Sequence, residues 1–312
     1  MKSVVDNVYV VKPYDPKNID CCVYLIDTKS DDGLVLIDVG LNIEPIQAIE
    51  KEGFDLRDLK HCLITHAHLD HYGACHKLKA FNKDIKFYAH ELDAEKIENI
   101  PTDQYIAEAF PNYKYTPVKL DKKIKKDNEI LKFGQLKFNC IHIPGHTPGS
   151  LAFLLETKEK RILFGGDLPG IAINRRDGNL KDYLKSMQKL LRYNIDILCE
   201  GHENLIQPAE KVKKFIEGYM KFNDNLNLVA LENPSDVKAL LEITKINYEL
   251  EFFDTALDFC NYLLEISPNN VEALKLHEKI KKHNPNKMDF IKSLIKEKFP
   301  QFLDHLQEKP SK

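Results

Sequence analysis

The nonapeptide THAHLDHYG (Thr65–Gly73) places four metal-ligating side chains, His66, His68, Asp70 and His71, within six residues. The apolar run before it, His61–Thr65 (HCLIT), reads as a strand that ends at the cluster. Along a strand, successive side chains point to opposite faces; a loop leaving its C-terminal edge escapes that alternation, so several can converge. Four ligands of one ion would strain so short a loop, whereas two neighbouring ions suit the spacing. Imidazole nitrogen and carboxylate oxygen accept zinc, iron or manganese, and zinc is the usual choice. Any fold built on this chain must therefore gather strand ends at one edge and bring further ligands there.

The sequence offers three such ligands in matching contexts. His146 sits in PGHTPGS (Pro144–Ser150), directly after a strand expected at Leu136–Ile143. Asp167 ends FGGD after Ile162–Phe164, and His202 lies in EGHE after Ile195–Cys199. Each is flanked by glycine, which lets the backbone turn sharply and removes a side chain that would crowd an ion. The other seven histidines, His61, His76, His90, His142, His277, His283 and His305, lack this context. His142 comes nearest to it but lies inside its strand.

Two textures divide the chain. Up to about residue 219, short apolar runs alternate with helical segments. Strands are expected at Val4–Val11, Cys22–Ile26, Leu34–Asp38 and Ile85–Ala89 besides those above, and at Leu151–Leu155. Helices are expected at Ile43–Glu52, Glu91–Glu98, Leu180–Tyr193 and Pro208–Tyr219. From residue 220 onward strand signals and glycines vanish. Val237–Leu250, Phe253–Ile266, Val271–His283 and Lys287–Lys298 carry helical spacing, punctuated by Pro234, Pro268, Pro285 and Pro300. The expected class is α+β: two packed sheets with flanking helices over 1–219, then a small all-α domain over 220–312.

Net charge is −3, from 45 basic and 48 acidic residues, so no global field points to nucleic acid or an acidic membrane. The one basic run, KLDKKIKK at Lys119–Lys126, reads as a solvated surface. No window approaches the roughly 18 apolar residues of a membrane span. The N-terminal stretch has no apolar core of signal-peptide length. Seven cysteines with no C-x-x-C pair indicate neither a disulfide framework nor a cysteine zinc knuckle. Cytoplasmic residence is the expectation, with the adjacent Cys21 and Cys22 as packing residues.

These motifs, in this order, resemble the metallo-β-lactamase fold superfamily. The likeness runs from about Val8 to Tyr219 and includes LIDVG (Leu36–Gly40), HxHxDH, GHTPGS, GGD and the late GH. It implies an αββα sandwich with a dinuclear centre at one edge of the sheets. By that resemblance His66, His68 and His146 bind a first metal, Asp70, His71 and His202 a second, and Asp167 bridges them. Asp38 would orient a histidine. A hydroxide bridging the two metals would attack a carbonyl or phosphoryl centre, with Asp70 accepting and returning the nucleophile's proton as the catalytic residue.

The fold hosts many chemistries, so substrate is a separate question. The stretch between Asp167 and His202 holds only one helix and a strand, which excludes the nuclease branch with a large domain there. Histidine at 68 disfavours the flavodiiron reductases, and Asp70 together with the absent signal disfavours a secreted β-lactamase. What remains is similar to the glyoxalase II-like and endoribonuclease-like hydrolases. The expectation is a small-molecule ester, thioester or lactone, with RNA phosphodiesters as the alternative. A third possibility is a scaffold that binds partners, its metal site being secondary. On position, Arg175, Arg176 and Lys181 either meet glutathione's carboxylates or form a solvated basic loop; Tyr72 could reach the substrate, though a packing role suits it better. Leu198-Cys199-Glu200 departs from the family's usual proline before the glycine, which puts Cys199 and Glu200 in the pocket wall.

In the helical tail, Phe253–Cys260 and Ser267–Leu274 resemble one tetratricopeptide unit over about 237–274. Ala256, Pro268 and Ala273 fall at its small and proline positions, while Thr244 and Asn247 stand where glycine and tyrosine are usual. One unit cannot bury its own face and needs neighbours. The tail is expected to cover the catalytic domain, to pair with a second copy, or to hold a peptide.

Overall fold

The apolar run of β3 (Val23–Asp27), buried on both faces, divides its side chains between two cores. Val23 and Leu25 enter one hydrophobic cluster, Tyr24 and Ile26 the other. The protein is described here from a computed structural model, which covers residues 1–13, 15, 20–99, 113–168, 170–172, 177–296 and 298–307. β3 belongs to a seven-stranded sheet ordered β1 (Lys2–Val5), β2 (Val8–Lys12), β3, β4 (Leu34–Ile37), β5 (Leu59–Leu63), β6 (Lys86–His90), β7 (Lys122–Ile124). A five-stranded sheet is ordered β12 (Ile197–Glu200), β11 (Arg161–Gly166), β10 (Leu151–Glu156), β9 (Leu136–His142), β8 (Glu129–Phe133).

The inner faces of the two sheets share one core, in which Tyr24, Val35 and Leu63 meet Phe138, Phe153, Phe164 and Cys199. The outer face of the first sheet packs on α1 (Glu44–Gln47), α2 (Leu69–Tyr72), α3 (Cys75–Phe81) and α4 (Ala94–Glu98) through Ile46, Tyr72, Leu78 and Ile97. Beside the second sheet lies α5 (Leu180–Leu190), whose Tyr183, Met187 and Leu190 are buried. The result is the α+β sandwich, helices outside and sheets within.

Parallel pairing sets the edge. Strands β4 to β7 run parallel, as do β11 and β12. Parallel neighbours deliver their C-terminal loops to the same side of a sheet. Asp38, Thr65–His71 and Asp93 thus leave one sheet together, and Asp167 and Gly201–His202 leave the other. Bonds that join the sheets at this edge include Leu151 N donating to Thr65 O at 2.8 Å, Cys22 N to Gly201 O at 2.6 Å and Tyr24 Oη to Glu200 O at 2.7 Å.

Two local differences from the sequence expectation have clear causes. Val4–Val11 is a hairpin rather than one strand, because Asn7 adopts φ 63° and turns the chain between β1 and β2. The basic run contains β7, the last strand of its sheet. Lys122 pairs with Glu129 at 2.6 Å and Lys123 with Glu98 at 2.6 Å, so those lysines are spent on local carboxylates. Lysines on an edge strand also deter pairing with another chain.

The chain divides into two compact units, residues 1–170 with 181–213, and 171–180 with 214–312. The second is helical. After α6 (Ala209–Leu231) come α7 (Val237–Glu249), α8 (Phe253–Ile266), α9 (Val271–Lys281), α10 (Phe290–Lys296) and α11 (Pro300–Gln307). Asp236 and Asn270 cap α7 and α9 by accepting from Ala239 N and Ala273 N. Asp258 accepts from Ile291 N at 2.8 Å and fastens the start of α10 to α8. Ala256 and Ala273 are fully buried where the helices meet. Among the described residues, no helix is long and apolar enough to cross a membrane.

Candidate metal centre

Four segments from both sheets place seven donors at the shared edge. In the first set, His66 Nε2 and His68 Nδ1 lie 3.0 Å apart, and His146 Nε2 lies 2.9 Å from His68 Nδ1. Asp167 Oδ2 closes this set, 3.4 Å from His146 Nε2 and 3.8 Å from His66 Nε2. In the second, His202 Nε2 is 3.2 Å from His71 Nε2 and 3.0 Å from Asp70 Oδ2. Asp167 Oδ1 faces this second set, 2.9 Å from His71 Nε2 and 3.5 Å from His202 Nε2. The carboxylate of Asp167 therefore offers one oxygen to each group.

These contacts suit cations better than one another. Ring nitrogens that converge from three sides cannot all donate, so lone pairs are left facing lone pairs. Asp167 Oδ1 is buried and makes no hydrogen bond. Small residues leave room at the centre: a Cβ on Gly201 would stand 2.7 Å from Asp167 Oδ1 and 2.8 Å from His71 Cε1. Neutral imidazoles with carboxylate oxygens form a donor set appropriate to zinc. The residues present fit a pair of divalent ions.

Local bonds select the ring nitrogens. Asp38 Oδ2 takes the proton of His71 Nδ1 at 2.9 Å, leaving Nε2 to face the second set. The same carboxylate accepts from Thr65 N and Thr65 Oγ1, each at 2.8 Å. With its hydroxyl proton given to Asp38, Thr65 Oγ1 accepts from His66 Nδ1 at 3.1 Å, which frees His66 Nε2. Asp38 holds φ 56°, a left-handed conformation that Asp tolerates better than most residues.

The two sets differ in charge. Burial pushes His66 well below the ordinary imidazole range and His68 down to about 3, with neighbouring histidines adding to the effect. Burial opposes protonation of His71 and His202 as well, but Asp167 foremost outweighs it, raising His71 and taking His202 up to about 9. Asp167 is itself buried, yet His71, His202 and His66 hold its carboxyl well below the usual range. Without metal, the second set balances its carboxylates with imidazole protons that a cation would displace.

Most other sequence candidates fall away from the centre, whereas Cys21 lies beside Asp38 and His71. Tyr72 is fully buried and donates to Lys96 O at 3.2 Å, a packing role. His61 lies in the core against Phe133, and His142 stacks on His90 with centroids 4.0 Å apart. Cys199 packs between the sheets rather than lining a pocket. Cys21 and Cys22 are buried, and burial raises the Cys21 thiol to about 12, so it is inert at neutral pH. Arg175 and Arg176 lie outside the described residues, and Lys181 is exposed.

Sequence reasoning missed Asp93 and misplaced Glu200. Asp93 is buried, and its Oδ2 accepts from Ala67 N and Thr147 Oγ1 while Oδ1 accepts from Gly149 N. Glu200 is fully buried, accepting from Leu168 N and His202 N. A carboxylate at a strand exit was the signal available for both.

A sequence profile of the metallo-beta-lactamase superfamily matches residues 19–202. Hydroxyacylglutathione hydrolase GloC of Haemophilus influenzae is 37% identical over 176 residues, 54% of this chain and 78% of its own. Among solved structures, BJP-1, a subclass B3 metallo-beta-lactamase of Bradyrhizobium japonicum, aligns with TM-score 0.53 and 26% identity, covering 64% of this chain and 76% of that one. The B3 metallo-beta-lactamase BLEG-1 aligns with TM-score 0.55 and 26% identity, covering 65% and 95%. All seven donors lie within the matched span, and the chain, a metal-dependent hydrolase, belongs to the metallo-beta-lactamase superfamily.

Proposed function

We propose that His66, His68 and His146 hold one divalent ion, that Asp70, His71 and His202 hold a second, and that Asp167 is shared. On this reading the protein hydrolyses small thioesters or esters, with zinc as the metal. The observation that carries it is the Asp167 carboxylate, one oxygen turned to each donor set.

Bound there, a pair of such ions lowers the pKa of water toward about 7 and polarises an acyl oxygen. The chain supplies the rest. Asp38 and Thr65 fix which nitrogens of His71 and His66 face the centre. Asp70 turns Oδ2 to His202 and His71, and its carboxylate is the proton acceptor nearest the reacting centre, able to take a proton and return it to the leaving group. A thiolate leaves readily and needs little help from a general acid, which suits a site where the described donors include no dedicated second acid.

Support for a thioester comes from the likeness to the Haemophilus influenzae hydroxyacylglutathione hydrolase. The B3 structural neighbours favour a second reading, hydrolysis of a cyclic amide. The basic run offers a phosphodiester little, since three of its five lysines, Lys122, Lys123 and Lys125, face Glu129, Glu98 and Glu91. The experiment compares initial rates of the zinc-loaded protein on a 2-hydroxyacyl glutathione thioester, a simple lactone, a chromogenic cephalosporin and an aryl phosphodiester. A kcat/KM highest for the thioester supports the proposal. Preference for the cephalosporin or the phosphodiester overturns it.

A further inference from the structure

Two buried carboxylates near the centre offer no oxygen to it. Asp93 has three partners, all donors: Ala67 N, Thr147 Oγ1 and Gly149 N, each at 2.8 Å. Ala67 stands between His66 and His68, and Thr147 and Gly149 follow His146. Asp93 thus ties together the two segments that carry every nitrogen of the first set. Glu200 does the same on the other side. Its Oε1 accepts from Leu168 N at 2.7 Å and its Oε2 from His202 N at 2.8 Å. Leu168 follows Asp167, so Glu200 joins the bridging carboxylate to the last histidine.

We infer that Asp93 and Glu200 are positioning residues that divide control of the two ions, Asp93 setting the first donor set and Glu200 the second. The inference rests on the proposed ligand sets. Only a carboxylate serves either position, because both of its oxygens must accept. An amide would turn an NH2 toward a backbone N–H and leave that donor unpaired in a buried site, a heavier loss than a missing surface bond. The neighbourhood is fitted to Asp93: a Cβ on Gly149 would come within 2.5 Å of its Cγ, so glycine there lets the carboxylate approach the backbone. The two clamps share no residue, which makes their effects separable. Asp167 faces both of the donor sets they serve.

The test uses full-length, metal-free protein titrated with zinc against a chromophoric chelator. His202→Ala leaves the first set as the tighter site, and His146→Ala leaves the second. Asp93→Asn is expected to weaken zinc binding on the order of 10–100-fold in the His202→Ala background and to leave it unchanged in the His146→Ala background. Glu200→Gln gives the reverse pattern, its larger loss in the His146→Ala background. If Asp93→Asn does not fold, Thr147→Val removes one of the same bonds and carries the same directional expectation. Equal losses in both backgrounds, or none in either, overturn the division of control. A wild type that takes up no zinc overturns the ligand sets themselves, and this inference with them.

Discussion

His71 Nε2 lies 2.9 Å from Asp167 Oδ1, while the other oxygen of that carboxylate lies 3.4 Å from His146 Nε2 on the far side. One side chain thus serves two groups of donors, and replacing either oxygen disables one group. Asp167→Asn substitutes an NH2 for one acceptor. Zinc content is expected to fall from two ions per chain toward one, with hydrolysis reduced on the order of 100-fold or more. Elemental analysis beside initial rates checks both.

Asp38→Asn should act through a proton rather than through shape. The Thr65 N–H needs an acceptor, so the amide oxygen stays there and the NH2 turns to His71 Nδ1. That forces the ring proton onto Nε2, the nitrogen facing the second donor set. The variant is expected to fold, since Asn tolerates the φ of 56°, but to bind its second zinc about 10-fold more weakly. Zinc titration of the folded variant measures this.

Tyr72→Phe separates packing from catalysis. The hydroxyl bonds Lys96 O and is shut off from solvent. Stability should drop by about 1 kcal/mol in denaturant unfolding. KM and kcat should stay within about twofold of wild type, as the hydroxyl is taken up by the Lys96 carbonyl oxygen.

Burial holds His61 down to about 4, well under the ordinary imidazole value. The unfolded chain then binds more protons than the folded one between about pH 6.5 and 4, so stability is complete above that window and declines as pH falls through it. His61→Gln should flatten this decline in metal-free protein. Denaturant midpoints for variant and wild type at pH 7 and pH 4.5 give the comparison, and the difference between them isolates His61 from the other histidines.

The sequence revealed what depends on local pattern. The apolar runs at Cys22–Ile26 and before His66, His146, Asp167 and His202 marked the strands and the edge where their loops emerge. The hairpin at Asn7 escaped notice because only the short pair Asp6-Asn7 interrupts an otherwise strand-like run from Val4 to Val11. β7 escaped because edge strands need little apolar surface, and its lysines look like any solvated run. Asp93 and Glu200 were hard to read for a different reason. Most of their partners are backbone N–H groups, and a backbone donor leaves no mark in the amino-acid code.

The most direct measurement is an anomalous difference map at the zinc absorption edge from crystals of the zinc-loaded protein. Two peaks are expected, one on each side of Asp167. The first should lie about 2.0–2.1 Å from His66 Nε2, His68 Nδ1 and His146 Nε2, the second at similar distance from Asp70, His71 Nε2 and His202 Nε2. A single peak, or peaks remote from Asp167, would contradict the shared dinuclear centre.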